Sequence, residues 1–290
     1  MKNSDFVNMF TNSVEFENVF LFVDGFNNKR DITNTLPILY EEQPVTWLLL
    51  KDQFLNVDVP NPIAIDVGTG SGIWAALIKM NFSKFEVVAI DKNRKAIEKA
   101  KDNFSLNQLD IATKLTYYNI DDFLVSSIDI IILTPPYHLY PKELEKYIPL
   151  FARGGNDGQT EFKNQVQIAA KHLKRNGKIL FNMMCLGNNE PIYCKYLPNY
   201  FSDPICINYF NIFPKIKTNI FLEQVYGNQY KTFQNQLSQK FKYLFYTCGV
   251  IKYNEVYETK ELNHNIVINR DWNDRIILHR EINKFNNETD

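Results

Sequence analysis

The residues best suited to chemistry lie in two short stretches. The first is Asp66-Val67-Gly68-Thr69-Gly70-Ser71-Gly72, which joins the apolar run 62–67 to a segment with helical character. Glycines at such a place let the chain turn sharply and let a ligand approach the backbone. Open α/β sheets bind their ligands at strand-to-helix turns of this kind. A carboxylate, Asp91, ends the next apolar run, about 20 residues past the turn, where it is placed to accept both hydroxyls of a ribose. The second stretch is Thr134-Pro135-Pro136-Tyr137, directly after the apolar run 128–133. Proline lacks an N–H and forces the residue before it to be extended, so no helix can start there. The result is a stiff stub that carries an aromatic ring and backbone carbonyls at the end of a buried strand.

The glycine spacing separates ligand classes. A P-loop needs Gly-Lys followed by Ser or Thr, which this turn lacks. A dinucleotide fingerprint needs GxGxxG, whose last glycine would fall at Ile73. The pattern is instead GxGxG, at Gly68, Gly70 and Gly72, preceded by Asp66.

Strand and helix signals alternate around these residues. The runs 62–67, 85–90, 114–120, 127–133 and 178–184 read as strands. Helices are predicted over 71–80, over 93–107 with Ala96, Ile97, Ala100 and Phe104 on one face, and after the glycine-rich 154–158. That last helix carries Phe162, Val166, Ala169, Ala170 and Leu173 on one stripe, with a stop near Gly177. Five strand–helix units in series indicate an α/β fold with a doubly wound, mostly parallel sheet covered by helices on both faces. The stretch 40–57 looks helical, with Pro44 near its first turn, and 205–213 reads as a strand. Phe233, Leu237, Phe241, Leu244 and Phe245 have helical spacing, and 263–279 reads as a final hairpin.

The GxGxG turn with its preceding acid resembles motif I of class I S-adenosylmethionine-dependent methyltransferases. Thr134-Pro135-Pro136-Tyr137 resembles the Asn/Asp/Ser-Pro-Pro-aromatic motif of the amino-methylating branch. With His138 it is similar to the motif of small-domain guanine-N2 RNA methyltransferases, and Gly154-Gly155-Asn156-Asp157-Gly158 is similar to HemK-like protein-glutamine methyltransferases. The likeness runs from about Ile63 to Met184, under half the chain. It implies a seven-stranded Rossmann-like sheet and S-adenosylmethionine as cofactor. Asp66, Gly68, Thr69, Gly70 and Gly72 would hold the cofactor's amino-acid end, and Asp91 its ribose. Asp121 would meet the adenine amino group, with Asp122 or Phe123 flanking the ring. Thr134, Pro135 and Tyr137 would be the catalytic set: the Pro135 carbonyl accepts a hydrogen bond from the acceptor nitrogen, and Tyr137 stacks on a planar acceptor. Thr134 departs from the family by offering a hydroxyl in place of an amide or carboxylate oxygen. His138 is a candidate base, Asp157 a candidate helix cap, and Tyr40, Glu41 and Glu42 a candidate lid.

On this reading residues 1–60 form a cap or lid segment, and 61–290 form the cofactor-binding domain, with an acceptor-side elaboration from about 200. The expected reaction is methylation of a nitrogen in a small molecule or a protein side chain. Base methylation of RNA or DNA, a non-methyl transfer or cyclisation, and a silent cofactor-binding module are the alternatives. HemK-like enzymes carry a longer N-terminal domain that recognises a release factor, so a release factor is not the expected acceptor.

A net charge of −1 over 290 residues gives no global pull towards nucleic acid, which is not the favoured partner. The four cysteines, Cys185, Cys194, Cys206 and Cys248, form no CxxC pair, so reduced, buried thiols and no metal site are expected. No run approaches the ~18 apolar residues of a membrane span. A cytoplasmic protein without a membrane partner is expected.

Overall fold

The computed structural model describes residues 13–24, 42–116, 127–268 and 270–284. The first elements are a hairpin, β1 (Ser13–Phe16) and β2 (Val19–Phe22), and two short helices, α1 (Gln43–Leu50) and α2 (Asp52–Leu55). Glu17 and Asn18 both adopt positive φ, 49° and 65°, which suits the tight turn of a two-residue hairpin. Pro44 stands in the first turn of α1, where its missing N–H costs nothing.

The middle of the chain follows the predicted alternation. It runs β3 (Ile63–Val67), α3 (Ile73–Asn81), β4 (Glu86–Asp91), α4 (Arg94–Leu106), β5 (Ala112–Leu115), β6 (Ile128–Leu133), α5 (Thr160–His172) and β7 (Leu173–Gly187). The remainder is α6 (Tyr193–Tyr196), β8 (Ile205–Asn211), β9 (Ile216–Lys217), α7 (Thr218–Tyr226), α8 (Lys231–Lys240), β10 (Tyr243–Tyr253), β11 (Glu258–Leu262) and α9 (Trp272–Lys284).

Strands β5-β4-β3-β6-β7 lie side by side and all parallel. The chain moves outward from β3 through β4 to β5, then returns to the other side of β3 for β6 and β7. The order therefore reverses between β3 and β6, and their carboxyl ends flank a topological switch point. On the β7 side, β10 pairs antiparallel with both β7 and β8, and β11 runs parallel to β8. Short β9 pairs with the start of β10. Among the described residues this sheet has nine strands, against the seven expected.

Strand β6 is buried along its whole length, so it reads as a continuous apolar run except at Asp129. That carboxylate accepts from the Ile63 backbone N–H at 2.9 Å and pairs with Lys174 at 2.8 Å. It joins the starts of β3 and β7 to β6. One face of the sheet is covered by α1, α3 and α4, where Trp47, Phe54, Trp74, Phe82 and Phe85 pack ring against ring, with Phe54 and Phe82 stacked at 5.2 Å. The other face holds Phe162, Phe181 and Tyr193 under α5. All four cysteines are buried free thiols.

The structure differs from expectation at three elements. The third strand lies at Ala112–Leu115, earlier than 114–120, and 117–126 lie outside the described residues. Helix α8 stops at Lys240, and Leu244 and Phe245 belong to β10 instead. There the pairing with β7 and β9 overrides the helical spacing. The expected final hairpin is in fact α9. Asp271 accepts from the Asn273 N–H at 2.7 Å, and Asp274 accepts from the Asp271 N–H at 3.0 Å, a reciprocal cap that starts a helix.

Phe54 is fully buried and wedged between Trp47, Phe82 and Phe85. Phe54→Ala is expected to lower the free energy of unfolding by ~3–5 kcal/mol, read by urea titration. An unchanged midpoint would show that this cluster contributes nothing to stability.

Candidate active site

Register brings the two chemical stretches together. Val67 pairs with Leu133, and Val67 also pairs with Ile90. Gly68 and Thr134 therefore leave neighbouring strands level with one another, with Asp91 one strand further on. The N–H groups of Gly68 and Thr69 donate to the Ile90 carbonyl at 2.9 and 3.0 Å, which folds the turn back onto β4. Asp91 Oδ2 accepts from the Gly70 N–H at 3.0 Å, and Oδ1 from the Asn93 N–H at 2.8 Å. Burial raises its carboxyl above the ordinary range, and these N–H groups pull it back down.

Asp66 lies behind the turn and does not line the cleft. Its Oδ2 accepts from the Thr69 hydroxyl at 2.7 Å and from the Ala75 N–H at 3.2 Å. It thereby satisfies one of the N–H groups that the first turn of α3 cannot pair internally. Burial pushes its pKa up to about 7, against the pull of the Thr69 and Ala75 hydrogen bonds. Gly72 has φ 89°, and a Cβ there would stand 2.6 Å from the Phe104 ring. Packing against α4 and backbone conformation both demand glycine. Asn103, fully buried on α4, donates to the carbonyls of Ser71 at 2.8 Å and Phe22 at 2.9 Å. It also accepts from the Phe22 N–H at 2.7 Å, so one side chain ties the hairpin to the glycine turn.

The Pro-Pro-Tyr stub is braced from below by 154–158. A Cβ on Gly154 would lie 2.6 Å from the Tyr137 carbonyl carbon, and one on Gly158 2.7 Å from the Tyr137 oxygen. The glycines are needed because this loop runs directly against the stub's backbone. Asp157 accepts from the Gln159 N–H at 3.0 Å and pairs with Lys163 at 3.2 Å; it steadies the approach to α5.

Tyr137 is clamped at its hydroxyl. Its O–H donates to Glu42, and Arg275 donates to its oxygen at 2.9 Å. Arg275 is fully buried, donates also to the Tyr246 hydroxyl, lies 4.3 Å over the Tyr246 ring and sits 3.9 Å from Glu42. Burial holds the Tyr137 phenol well above its ordinary pKa, so it stays protonated. His138 is taken up differently from a base: Nδ1 faces His279 Nδ1, and Nε2 lies 3.0 Å from Asn283 Oδ1. Burial lowers its pKa to about 4 and that of His279 well below the usual range, so the pair is neutral at pH 7.

These groups surround one cleft. Thr69 and Gly70 line one side, Asp91 and Asn93 another, and Thr134 to His138 a third. Gln165, Leu278 and His279 complete the wall. Of the sequence-predicted set, Gly68, Thr69, Gly70, Asp91, Thr134, Pro135 and Tyr137 meet here, and Glu42 of the expected lid joins them. Asp121, Asp122, Phe123, Tyr40 and Glu41 lie outside the described residues. Arg275, His279, Asn103 and Gln165 were not foreseen. The Asp271–Asp274 cap was the signal for the helix that carries the first two. Lys215 and Lys242 lie over the Tyr243 ring and Lys240 over Phe241; with Lys217, they do not line the cleft.

Residues 46–186 match the family described as the methyltransferase small domain. The release factor glutamine methyltransferase of Flavobacterium psychrophilum is 31% identical over 160 residues, covering 52% of this chain and 55% of that one. The enzyme of the same name from Lactococcus lactis is 32% identical over 183 residues, covering 51% and 66%. The chain thus spans little more than half the length of the first of these relatives. Among solved structures, geranyl diphosphate C-methyltransferase from Streptomyces coelicolor superposes with a TM-score of 0.45 at 8% identity, over 73% of this chain and 78% of its own.

Asp66 gives a pH prediction. An unfolded aspartate loses its proton near the ordinary value of 3.8, whereas folded Asp66 keeps it to about 7. Across that window the native state binds more protons, so the contribution of Asp66 is full below pH 3.8 and fades as pH rises to about 7. The stability of the wild type minus that of Asp66→Asn, from urea unfolding at fixed pH, is expected to fall across this window and level off above it. A flat or rising difference rejects the buried acid.

Proposed function

We propose that the chain, whose residues 46–186 match the methyltransferase small domain, is a class I S-adenosylmethionine-dependent methyltransferase that methylates a nitrogen of a protein side chain. The observation that carries the reading is the convergence of the Gly68–Gly72 turn, Asp91 and the Thr134–Tyr137 stub on one cleft at the switch point of the sheet. The names of its relatives, release factor glutamine methyltransferases, support an amide nitrogen as the acceptor.

The residues present fit S-adenosylmethionine. The cleft has a carboxylate at the strand next to the turn, and its wall includes a buried amide, Gln165, with no hydrogen-bond partner among the described residues. Asp91 would accept the ribose hydroxyls, and the turn at Gly68, Thr69 and Gly70 would hold the amino-acid end. Asp66 would serve that turn by fixing Thr69 and the start of α3. Asp121 and Asp122 keep the adenine role that the resemblance implies. When bound, this cofactor supplies a methyl carbon on a sulfonium, which reacts by in-line displacement.

The chain's part is positioning, which supplies much of the acceleration in such transfers. The Pro135 carbonyl and the Thr134 hydroxyl act as hydrogen-bond acceptors for the N–H groups of the incoming nitrogen. The Tyr137 ring is immobilised by Glu42 and Arg275 and forms a flat wall for a planar amide. His138 has no ring nitrogen left to serve as base, because both face partners. The segment before residue 60 then acts as a cap through Glu42 and Gln43, and the region after about 200 completes the acceptor side through Tyr246 and α9.

Two variants test these roles. Asp91→Ala is expected to abolish binding of S-adenosylhomocysteine in calorimetry; unchanged affinity removes the ribose assignment. Tyr137→Ala is expected to bind it nearly as the wild type does while losing ~100-fold or more in radiolabelled methyl transfer to glutamine-containing peptides. If transfer persists at the wild-type rate, the acceptor docks elsewhere.

A further inference from the structure

Gln165 is 2% exposed, and neither its Oε1 nor its Nε2 has a hydrogen-bond partner among the described residues. Buried amides in folded proteins are normally satisfied, and an exception needs a reason. Asn103, equally buried, has partners at both ends of its amide. Gln165 also falls on the face of α5 that buries Phe162, Val166 and Ala169, where an apolar side chain would pack without cost. It stands in the cleft wall, with Nε2 3.6 Å from where a Cβ on Gly68 would be.

The position along the sheet edge says what this amide meets. The order is β4, β3, β6, with neighbouring strands ~4.8 Å apart. Asp91 ends β4, Gly68 follows β3 and Thr134 follows β6. A ligand whose ribose lies at Asp91 carries its other end over Gly68, against Gln165. We propose that Gln165 binds the zwitterionic amino-acid end of the cofactor, with Oε1 accepting from the ammonium and Nε2 donating to the carboxylate. This rests on the methyltransferase reading above. A side chain with one acceptor and one two-hydrogen donor matches a group that carries both charges. Hydrogen bonds to charged groups are the stronger kind.

The test is calorimetry on the full chain with S-adenosylhomocysteine and with 5′-methylthioadenosine, which keeps the nucleoside and thioether but lacks the amino-acid end. Gln165→Met, close in shape and without polar atoms, is expected to weaken S-adenosylhomocysteine by about tenfold or more and to leave 5′-methylthioadenosine within about twofold. Gln165→Glu, which cannot donate to a carboxylate, is expected to weaken S-adenosylhomocysteine as well. Without ligand, Gln165→Met is expected to melt no lower than the wild type, because no native hydrogen bond is lost. Equal loss for both ligands, no loss for either, or a lower unliganded melting temperature overturns the role of Gln165 and leaves the methyltransferase reading standing. A wild type that binds neither ligand overturns both.

Discussion

The parallel pairing of β3 with β6 is the constraint on which the site depends. Two strands far apart in the chain are locked in register from Ala64–Ile130 to Val67–Leu133. Because both end at the same level, a glycine turn and a proline stub face one space. Side-chain period in a strand is two, so a slip of one residue would turn every side chain of β6 to the opposite face. The full burial of β6 on both faces, together with the Asp129 link to Ile63 and Lys174, opposes such a slip.

Around this edge, polar groups are held by geometry more than by charge. Asp91 is bound to the Gly70 N–H, and Asp66 to Thr69 and Ala75. The His138–His279 pair is neutral at pH 7, since burial depresses both. Arg275 is held differently, as a fully buried cation near Glu42. Removing one member of such a pair costs more than the pair itself contributes, because the other charge is left uncompensated. The Glu42–Tyr137–Arg275–Tyr246 set thereby joins α1, the stub, α9 and β10 at one point.

The rigidity of the stub has two sources. Proline chemistry fixes its backbone locally. The loop 154–158 then presses on it so closely that glycine is required at Gly154 and Gly158. The sequence shows the two motifs as separate features; in the fold one is the floor of the other.

The sequence by itself determined the parallel core and singled out Gly68, Thr69, Gly70, Asp91, Thr134, Pro135 and Tyr137, which line the cleft. These follow from local rules: apolar runs of strand length, helical spacing, GxGxG at a strand end, and the stiffness of consecutive prolines. Tertiary structure decided the rest. Leu244 and Phe245 became strand because β7, and at Leu244 also β9, offered hydrogen bonds that a helix would leave unused. Asp66 turned into the turn because the first turn of α3 had N–H groups to satisfy. Arg275 and His279 reached a stub some 140 residues earlier in the chain, and Gln165 came to rest against Gly68. Side chains brought together by the folding of distant segments leave no periodic trace in the chain, so spacing could not reveal them.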